Sequence, residues 1–196
     1  MSWRDYAADA ERQFNPQANP EVDPKAEFAL RSELSAAARE RLQGELNVGY
    51  GPGPRQLLDI FPARKDGASI HVHIHGGYFR MGDKDSQSLF AEPFVAASIF
   101  CVFPKYDLCP QVSLDQLVVE VMDAIEWTHR NSACIGDPRR IYLSGSSAGA
   151  HLCAMALAHD WTMRGLPPDF VTGATLLTGV YDLEPLLHIS VTNWCD

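Results

Sequence analysis

The sequence predicts an α/β fold, in which a mostly parallel sheet lies between layers of helices. The first observation is that short apolar runs of strand length alternate with segments of helical periodicity from residue 56 to residue 178, the pattern of successive βαβ units. The second is that glycine-containing turns directly follow two of these runs, at residues 76–77 and 145–149. The third is composition, since 196 residues with 46% hydrophobic and 21% charged side chains suffice for one domain with a substantial core.

The first 46 residues form a separate region in this prediction. Residues 1–24 are polar and contain three prolines, which favours an irregular arm. Residues 24–45 carry alanine and leucine at helical spacing and predict one helix. The chain is then broken by Tyr50-Gly51-Pro52-Gly53-Pro54. We therefore expect an N-terminal arm and helix over residues 1–46 and an α/β domain over residues 47–196.

The remaining elements follow from periodicity and capping residues. Apolar runs predict strands at residues 56–61, 69–75, 99–103, 141–144 and 170–178. Helices are expected at residues 89–97 and 148–159. A further helix begins after Ser113, which forms a capping-box pattern with Gln116. Its apolar residues recur at helical spacing and predict a stripe that faces the core, made of Leu114, Leu117, Val118, Val121, Met122 and Ile125.

Charge and targeting signals narrow the class of protein. A formal charge of −9 argues against a nucleic-acid partner and against an anionic membrane surface. We find neither an apolar run of bilayer length nor the apolar core of a signal peptide. The five cysteines are scattered and odd in number, which argues against a zinc site or a disulfide framework; they are Cys101, Cys109, Cys134, Cys153 and Cys195. We expect a cytoplasmic protein with reduced thiols.

The most informative segment is Gly145-Ser146-Ser147-Ala148-Gly149, which follows a predicted strand and opens a predicted helix. This G-x-S-x-G pattern is typical of a nucleophile elbow, a sharp turn that presents a serine hydroxyl to substrate. Glycines two positions before and after Ser147 remove the β-carbons that would collide as the strand turns into the helix. A plain strand-to-helix turn is the competing interpretation, so the assignment depends on the rest of the chain.

A second glycine-rich turn, His75-Gly76-Gly77-Tyr78, directly follows another predicted strand. Active sites of parallel sheets lie at the carboxyl ends of strands, so this turn is expected near Ser147. Backbone N–H groups in such a turn can stabilise the oxyanion formed in acyl transfer. We expect Ala148 and Gly77 to supply donors, with Gly76 or Tyr78 as a further one.

Three alternating histidines allow another interpretation. His71, His73 and His75 point to one face of their strand, a spacing that also occurs in metal-dependent hydrolases. The competing interpretation is that His71 and His73 are packed sheet residues and that His75 shapes the glycine turn. Because no matching cluster of ligands appears elsewhere in the sequence, we expect no metal and no other cofactor.

Two acidic residues follow strands and are candidates for the cleft or for turn caps. Asp107 follows the predicted strand at residues 99–103, and a structural role is favoured for it. Asp182 follows the strand at residues 170–178 and is a candidate triad acid.

Taken together, the chain resembles the kynurenine formamidase (arylformamidase) group of α/β-hydrolases, close to the hormone-sensitive-lipase-like esterases. The resemblance implies a three-layer α/β-hydrolase fold and the hydrolysis of N-formylkynurenine to kynurenine and formate, in tryptophan breakdown, without a metal. Its partner is then a small-molecule substrate, an aryl formamide or an ester. The resemblance rests on five ordered segments, at residues 50–54, 75–79, 106–110, 145–152 and 179–185.

Departures from the family pattern concern the pocket. Phe79 stands where tryptophan is common, Ser146 where histidine is usual, and Ala150 where glycine is usual. His75, Phe79 and Ser146 are therefore expected to shape the motif and the substrate pocket, with a form that differs from the family's.

A larger departure concerns the catalytic triad. Family members continue into two more strand–helix units that carry the triad aspartate and histidine, whereas this sequence ends at Asp196. We expect an incomplete sheet with a free edge, and weak or absent activity. Asp182 and His188 are the substitutes for the missing acid and base, and structural roles are expected for His151 and His159. A carboxylesterase for small acyl esters, a non-catalytic fragment or paralogue, and a homodimer that covers the free edge stay open.

Overall fold

The computed structural model describes residues 2–192; Cys195 and the other residues after Thr192 lie outside that range. A six-stranded sheet has the order β1-β2-β4-β3-β5-β6. The strands β3 to β6 run parallel, whereas β2 is antiparallel to both of its neighbours. The predicted α/β architecture with a mostly parallel sheet is therefore confirmed. The strands are β1 Glu45–Gly49, β2 Leu57–Phe61, β3 Ile70–Ile74, β4 Phe100–Pro104, β5 Ile141–Ser146 and β6 Val171–Leu177.

Helices cover both faces of this sheet. The α-helices are α1 Ala10–Phe14, α2 Pro24–Leu42, α3 Ala91–Ala96, α4 Leu114–Arg130, α5 Ser132–Ile135 and α6 Ala148–Ala158. Short 3-10 helices lie at Trp3–Asp9, Pro16–Ala18, Lys84–Ser86, Ser88–Phe90, Trp161–Arg164, Glu184–His188 and Ser190–Thr192. No helix within residues 2–192 is both long and apolar enough to cross a bilayer.

The two faces of the sheet form two apolar clusters. One face packs against α4 and α6 and buries Ile70, Val72 and Ile74 of β3. The other face packs against α3, where Phe61 and Phe103 are buried. Because side chains alternate along a strand, His71 and His73 fall on this second face. The three-layer arrangement predicted for the chain is present.

The predicted cap of α4 is confirmed in detail. The Ser113 hydroxyl accepts a hydrogen bond from the Gln116 N–H at 3.2 Å, and the Gln116 side chain accepts one from the Ser113 N–H at 3.1 Å. These bonds satisfy two donors that the first turn leaves unpaired. Leu117, Val121 and Ile125 of this helix are fully buried.

The prediction for residues 24–45 is wrong at its end. The helix begins at Pro24, and Asp23 accepts hydrogen bonds from the N–H groups of Lys25 and Ala26. It ends at Leu42, because Gln43 adopts a left-handed conformation with φ 50°. The strand that follows, β1, was missed because it lies at the sheet edge with mostly exposed side chains and no apolar alternation. The domain boundary expected after residue 46 falls inside β1.

The expectation of an irregular arm over residues 1–24 is also wrong in part. Ser2 and Asp5 form a capping box that starts a 3-10 helix, and α1 follows it. Ala10 is 4% exposed and belongs to the main apolar cluster. Most side chains of these short helices are exposed, which accounts for the polar composition of the segment. For this reason composition alone did not indicate that Ala10 packs against the core.

Candidate active site

Ser147 occupies the turn between β5 and α6. Its φ of 55° and ψ of −121° are unusual for a residue with a side chain, and such a conformation persists only where the surroundings enforce it. The Ser147 N–H donates to the Leu177 carbonyl at 2.9 Å, and the Ser147 carbonyl accepts from the N–H groups of Ala150 and His151 at 3.0 and 3.2 Å. The turn is therefore fastened both to β6 and to the first turn of α6.

The glycines of this turn allow a close backbone approach. A β-carbon on Gly145 would overlap the backbone of Gly149, and one on Gly149 would overlap the carbonyl oxygen of Ile74. The strand β5, the helix α6 and the end of β3 therefore meet at a distance that side chains would prevent.

The glycine turn lies directly beside Ser147. A β-carbon on Gly76 would lie 3.3 Å from the Ser147 Cβ and would overlap the Ser146 carbonyl oxygen. Gly77, Tyr78 and Phe79 follow with φ values of 135°, 53° and 61°. We call residues 76–81 the glycine loop; it is closed by hydrogen bonds from the N–H groups of residues 80 and 81 to the Gly77 carbonyl, at 3.0 and 2.9 Å. The structure thus brings the two predicted motifs together.

His75 supports this loop from within. Its ring stacks on Tyr106 with a centroid distance of 4.2 Å and an interplanar angle of 8°. The His75 Nδ1 lies 3.0 Å from the Gly76 carbonyl oxygen, and the Tyr106 hydroxyl donates to the His75 carbonyl. Burial lowers the pKa of His75 to about 4, so the ring is neutral at pH 7 and serves as packing.

His71 and His73 point away from the glycine loop, to the other face of the sheet. His71 Nε2 lies 2.8 Å and His73 Nδ1 2.7 Å from the hydroxyl oxygen of Ser144. Burial lowers the pKa of His71 to about 4 and that of His73 to about 3, so both rings are neutral at pH 7. Among residues 2–192, no group of three or more histidine, cysteine or acidic side chains is placed to hold a metal ion.

A cavity of about 700 Å³ opens beside these two histidines, on the α3 face of β3, β5 and β6. Ser146 lines this cavity together with Phe90, Phe94 and Tyr142. The cavity lining does not include Ser147 or the glycine loop. Ser146, which the sequence placed in the substrate pocket, thus lines this cavity while its carbonyl oxygen lies beside Gly76.

His151 lies one turn after Ser147 on α6 and joins three segments. Its Nδ1 lies 2.7 Å from the Val180 carbonyl oxygen, and its ring meets the Phe79 ring edge-to-face at 5.4 Å. Phe79 is 4% exposed, so it forms part of the packing under the loop rather than an open wall. The i, i+4 spacing to Ser147 was the sequence signal that this side chain would lie close to the site.

The two triad substitutes have other contacts. The Asp182 carboxylate accepts a hydrogen bond from the Glu184 N–H at 3.1 Å, at the start of the following 3-10 helix. His188 is exposed and stacks on Trp3 at 5.0 Å. These contacts support neither side chain as a partner of Ser147.

The remaining polar candidates are bound to their neighbours. The Asp107 N–H donates to the Glu120 carboxylate at 2.8 Å, and the ring of His159 packs edge-to-face on Trp161. Sequence reasoning missed Asn15, a buried side chain that accepts a hydrogen bond from the Tyr78 hydroxyl at 3.1 Å. No local sequence pattern indicated this contact, because 63 residues separate Asn15 from Tyr78.

Known proteins with similar sequences include a kynurenine formamidase and an esterase. Kynurenine formamidase from Salmo salar is 32% identical over 199 residues, which cover 97% of this chain and 66% of that protein. Esterase LipQ from Mycobacterium tuberculosis is 34% identical over 154 residues, which cover 70% of this chain and 35% of that protein. The chain spans about two thirds of the length of the Salmo salar relative.

Solved structures show the same architecture. A candidate thioesterase from a Silicibacter species superimposes with a TM-score of 0.81 and 26% identity, over 95% of this chain and 70% of that one. The family model for the alpha/beta hydrolase fold matches residues 71–193, which include both the glycine loop and the Ser147 turn. The chain therefore belongs to the α/β-hydrolase fold family, and kynurenine formamidases are among its homologues.

Proposed function

We propose that this protein is a serine hydrolase of the arylformamidase type, which hydrolyses N-formylkynurenine to kynurenine and formate. The observation that carries the proposal is the enforced backbone of Ser147, with φ 55° and ψ −121°, directly beside the glycine loop. Homology to kynurenine formamidase over 97% of the chain supports the choice of substrate.

In the proposed reaction the Ser147 hydroxyl oxygen attacks the formyl carbon while its proton leaves to a base. The carbonyl oxygen becomes an oxyanion, the C–N bond breaks, and the amine departs with a proton. Water then attacks the formyl ester on Ser147 and releases formate. Each step passes through a tetrahedral oxyanion, so donors aimed at that oxygen stabilise both transition states.

The proposed donors are backbone N–H groups. Ala148 is buried at the first position of α6, where the N–H groups of a helix have no partner within the helix. Gly77 lies in the neighbouring loop, with Gly76 or Tyr78 as the further donor. The close packing of Gly76 on Ser147 supports this arrangement, because it brings the loop and the helix start together.

The aromatic part of the substrate is assigned to Tyr78 rather than to Phe79. Phe79 is buried under the loop against His151, whereas Tyr78 is half-buried. Burial raises the pKa of Tyr78 to about 12, so its hydroxyl is neutral at pH 7 and its ring can stack on an aryl group.

The proposed reaction needs a base that accepts the proton of the Ser147 hydroxyl. Asp182 accepts a hydrogen bond from the Glu184 backbone N–H, and the ring of His188 stacks on Trp3. Neither contact involves Ser147. A serine hydroxyl without a base stays protonated, and loss of triad members costs several orders of magnitude in rate. We therefore expect the 196-residue chain to be a weak catalyst.

A carboxylesterase that acts on small acyl esters is the second candidate. The similarity to an esterase over 70% of the chain favours it, and the same Ser147 chemistry would serve both substrates. For either reaction we propose a small-molecule substrate and a cytoplasmic protein.

A fluorophosphonate probe tests whether Ser147 is a nucleophile at all. We expect slow covalent labelling of the wild-type chain, loss of labelling in Ser147→Ala, and retained labelling in Ser146→Ala as the matched control. Labelling that survives in Ser147→Ala would refute the assigned nucleophile, and absence of labelling over hours would favour the non-catalytic alternative.

Substrate choice is tested by the ratio of two kcat/KM values. We expect N-formylkynurenine to be turned over with a higher kcat/KM than p-nitrophenyl acetate, both abolished in Ser147→Ala. A preference for the ester by tenfold or more would replace the formamidase with the carboxylesterase.

A further inference from the structure

We infer that Asn15 is a positioning residue, which holds the glycine loop in its unusual conformation through the Tyr78 hydroxyl. The N-terminal segment, residues 11–17, then supports the backbone beside Ser147. The catalytic consequence rests on the proposed function, whereas the conformational one does not.

The glycine loop needs external support. Tyr78 and Phe79 both have positive φ values, 53° and 61°, directly after Gly77 at 135°. Residues with a β-carbon are unfavourable in this region, and two in succession are held only where neighbouring contacts enforce them.

The inner half of this support comes from the domain itself. The Phe79 carbonyl accepts a hydrogen bond from the Cys109 N–H at 2.8 Å, and the Phe79 ring is buried against His151. These contacts hold Phe79. Tyr78 packs partly against the same apolar cluster, and its hydroxyl is bonded to a different segment.

The outer half comes from the N-terminal segment. The Tyr78 hydroxyl donates to Asn15 Oδ1 at 3.1 Å, and the Gln17 N–H donates to the same oxygen at 3.0 Å. Asn15 Nδ2 donates to a Glu11 carboxylate oxygen at 2.7 Å. Asn15 is 6% exposed, so each polar atom of its amide is engaged and its orientation is fixed.

The same segment is fastened at its far end. The Glu11 carboxylate accepts from the Ser190 N–H and from the Ser190 hydroxyl, both at 2.7 Å. These bonds lower the pKa of Glu11, which keeps it ionised at pH 7. A continuous series of hydrogen bonds thus runs from Tyr78 through Asn15 and Glu11 to Ser190.

The consequence for Ser147 follows from the path of the chain. Gly77, a proposed donor, and Gly76, a candidate for the further one, directly precede Tyr78 in the loop, and Gly76 packs on Ser147. Release of the Tyr78 hydroxyl lets the loop leave the positive-φ conformation, which moves donors that act only in the transition state. Loss of Asn15 should therefore lower kcat, and KM for an aryl substrate should rise as well, because the Tyr78 ring that is proposed to contact it moves with the loop.

Hydrogen exchange provides the test. In Tyr78→Phe we expect the amides of residues 80 and 81, which close the loop, to exchange about tenfold faster, since one hydrogen bond is lost. Asn15→Leu removes the same bond together with those to Gln17 and Glu11, so exchange in this variant should be at least as fast. The double variant should exchange no faster than Asn15→Leu alone, because that change already removes the bond to the Tyr78 hydroxyl. Gln13→Ala, an exposed change on α1 two residues before Asn15, is the matched control and should leave exchange unchanged.

The outcomes separate this inference from the proposed function. Faster local exchange at an unchanged global unfolding midpoint supports the positioning role even if wild-type Ser147 proves unreactive. Unchanged exchange at residues 80 and 81 in both single variants would overturn it, and so would additive effects in the double variant. If Asn15→Leu fails to fold, Tyr78→Phe decides alone. Where N-formylkynurenine is hydrolysed, kcat/KM should fall about tenfold or more in Asn15→Leu.

Discussion

Gly149 of α6 lies against the carbonyl oxygen of Ile74 at the end of β3, with no space between them for a side chain. This contact sets how closely the helix that begins after Ser147 approaches the strand that leads into the glycine loop. The two halves of the candidate site are therefore joined by a backbone-to-backbone contact, and it leads to the first prediction.

Gly149→Ala should destabilise the fold by about 3 kcal/mol, because the new β-carbon overlaps backbone atoms that cannot rotate away. Urea unfolding of the two proteins measures the difference. Gly173→Ala is the control, since its β-carbon would have its nearest neighbour, a Tyr142 ring carbon, at 3.7 Å. Equal losses in the two variants would show that the contact with Ile74 has no special role.

Ser147→Gly should stabilise the fold by about 1 kcal/mol, because glycine adopts φ 55° and ψ −121° without the strain of a β-carbon. The gain is measured as an increase in the urea midpoint at constant slope. Ser146→Gly, one residue earlier at the end of β5, should instead lower stability, because a glycine within a strand loses more conformational freedom on folding. A Ser147→Gly protein no more stable than Ser146→Gly would contradict the assigned strain.

Lys84→Met should cost about 2 kcal/mol, because it removes one of the two cations that pair with the buried Asp59 carboxylate, while Arg39 at 3.3 Å remains. Lys84 Nζ lies 2.8 Å from Asp59, and the two side chains are 2% and 0% exposed. Arg41→Met removes an ion pair of similar length, 2.7 Å to Glu92, that is open to solvent, so its cost should stay below about 1 kcal/mol. Thermal unfolding of both variants checks the contrast, and a similar cost for both would refute it.

The fold should lose stability as the pH falls below 6.5. The pKa values of His71 and His73 are lowered from 6.5 to about 4 and about 3, so between these values the unfolded chain binds protons that the folded chain does not. Stability then declines by about 1.4 kcal/mol per pH unit for each histidine.

Urea unfolding at pH 7, 6 and 5 measures this slope. His71→Gln should reduce it by the contribution of one histidine, whereas replacement of the exposed His188 by glutamine serves as the control. Parallel slopes for wild type and His71→Gln would exclude His71 as a source of the pH dependence.

The accuracy of sequence reasoning differed between elements for physical reasons. The capping box at Ser113 and the apolar stripe of α4 act within one helix, so they could be predicted from spacing. The edge strand β1 has no buried face to impose an alternating pattern, so it was missed. The end of α2 is set by the left-handed Gln43, a residue type that carries no strong stop signal.

The two glycine motifs of the candidate site and their order could be predicted from the residue pattern, because the turns around Ser147 and Gly76 need glycine wherever backbones meet. Their surroundings depend on contacts that form only in the folded chain. Asn15 reaches Tyr78 across 63 residues, Phe79 turns inward to His151, and His188 stacks on Trp3. Such partners are distant in the chain and are chosen by packing and hydrogen-bond geometry, which local residue patterns do not encode.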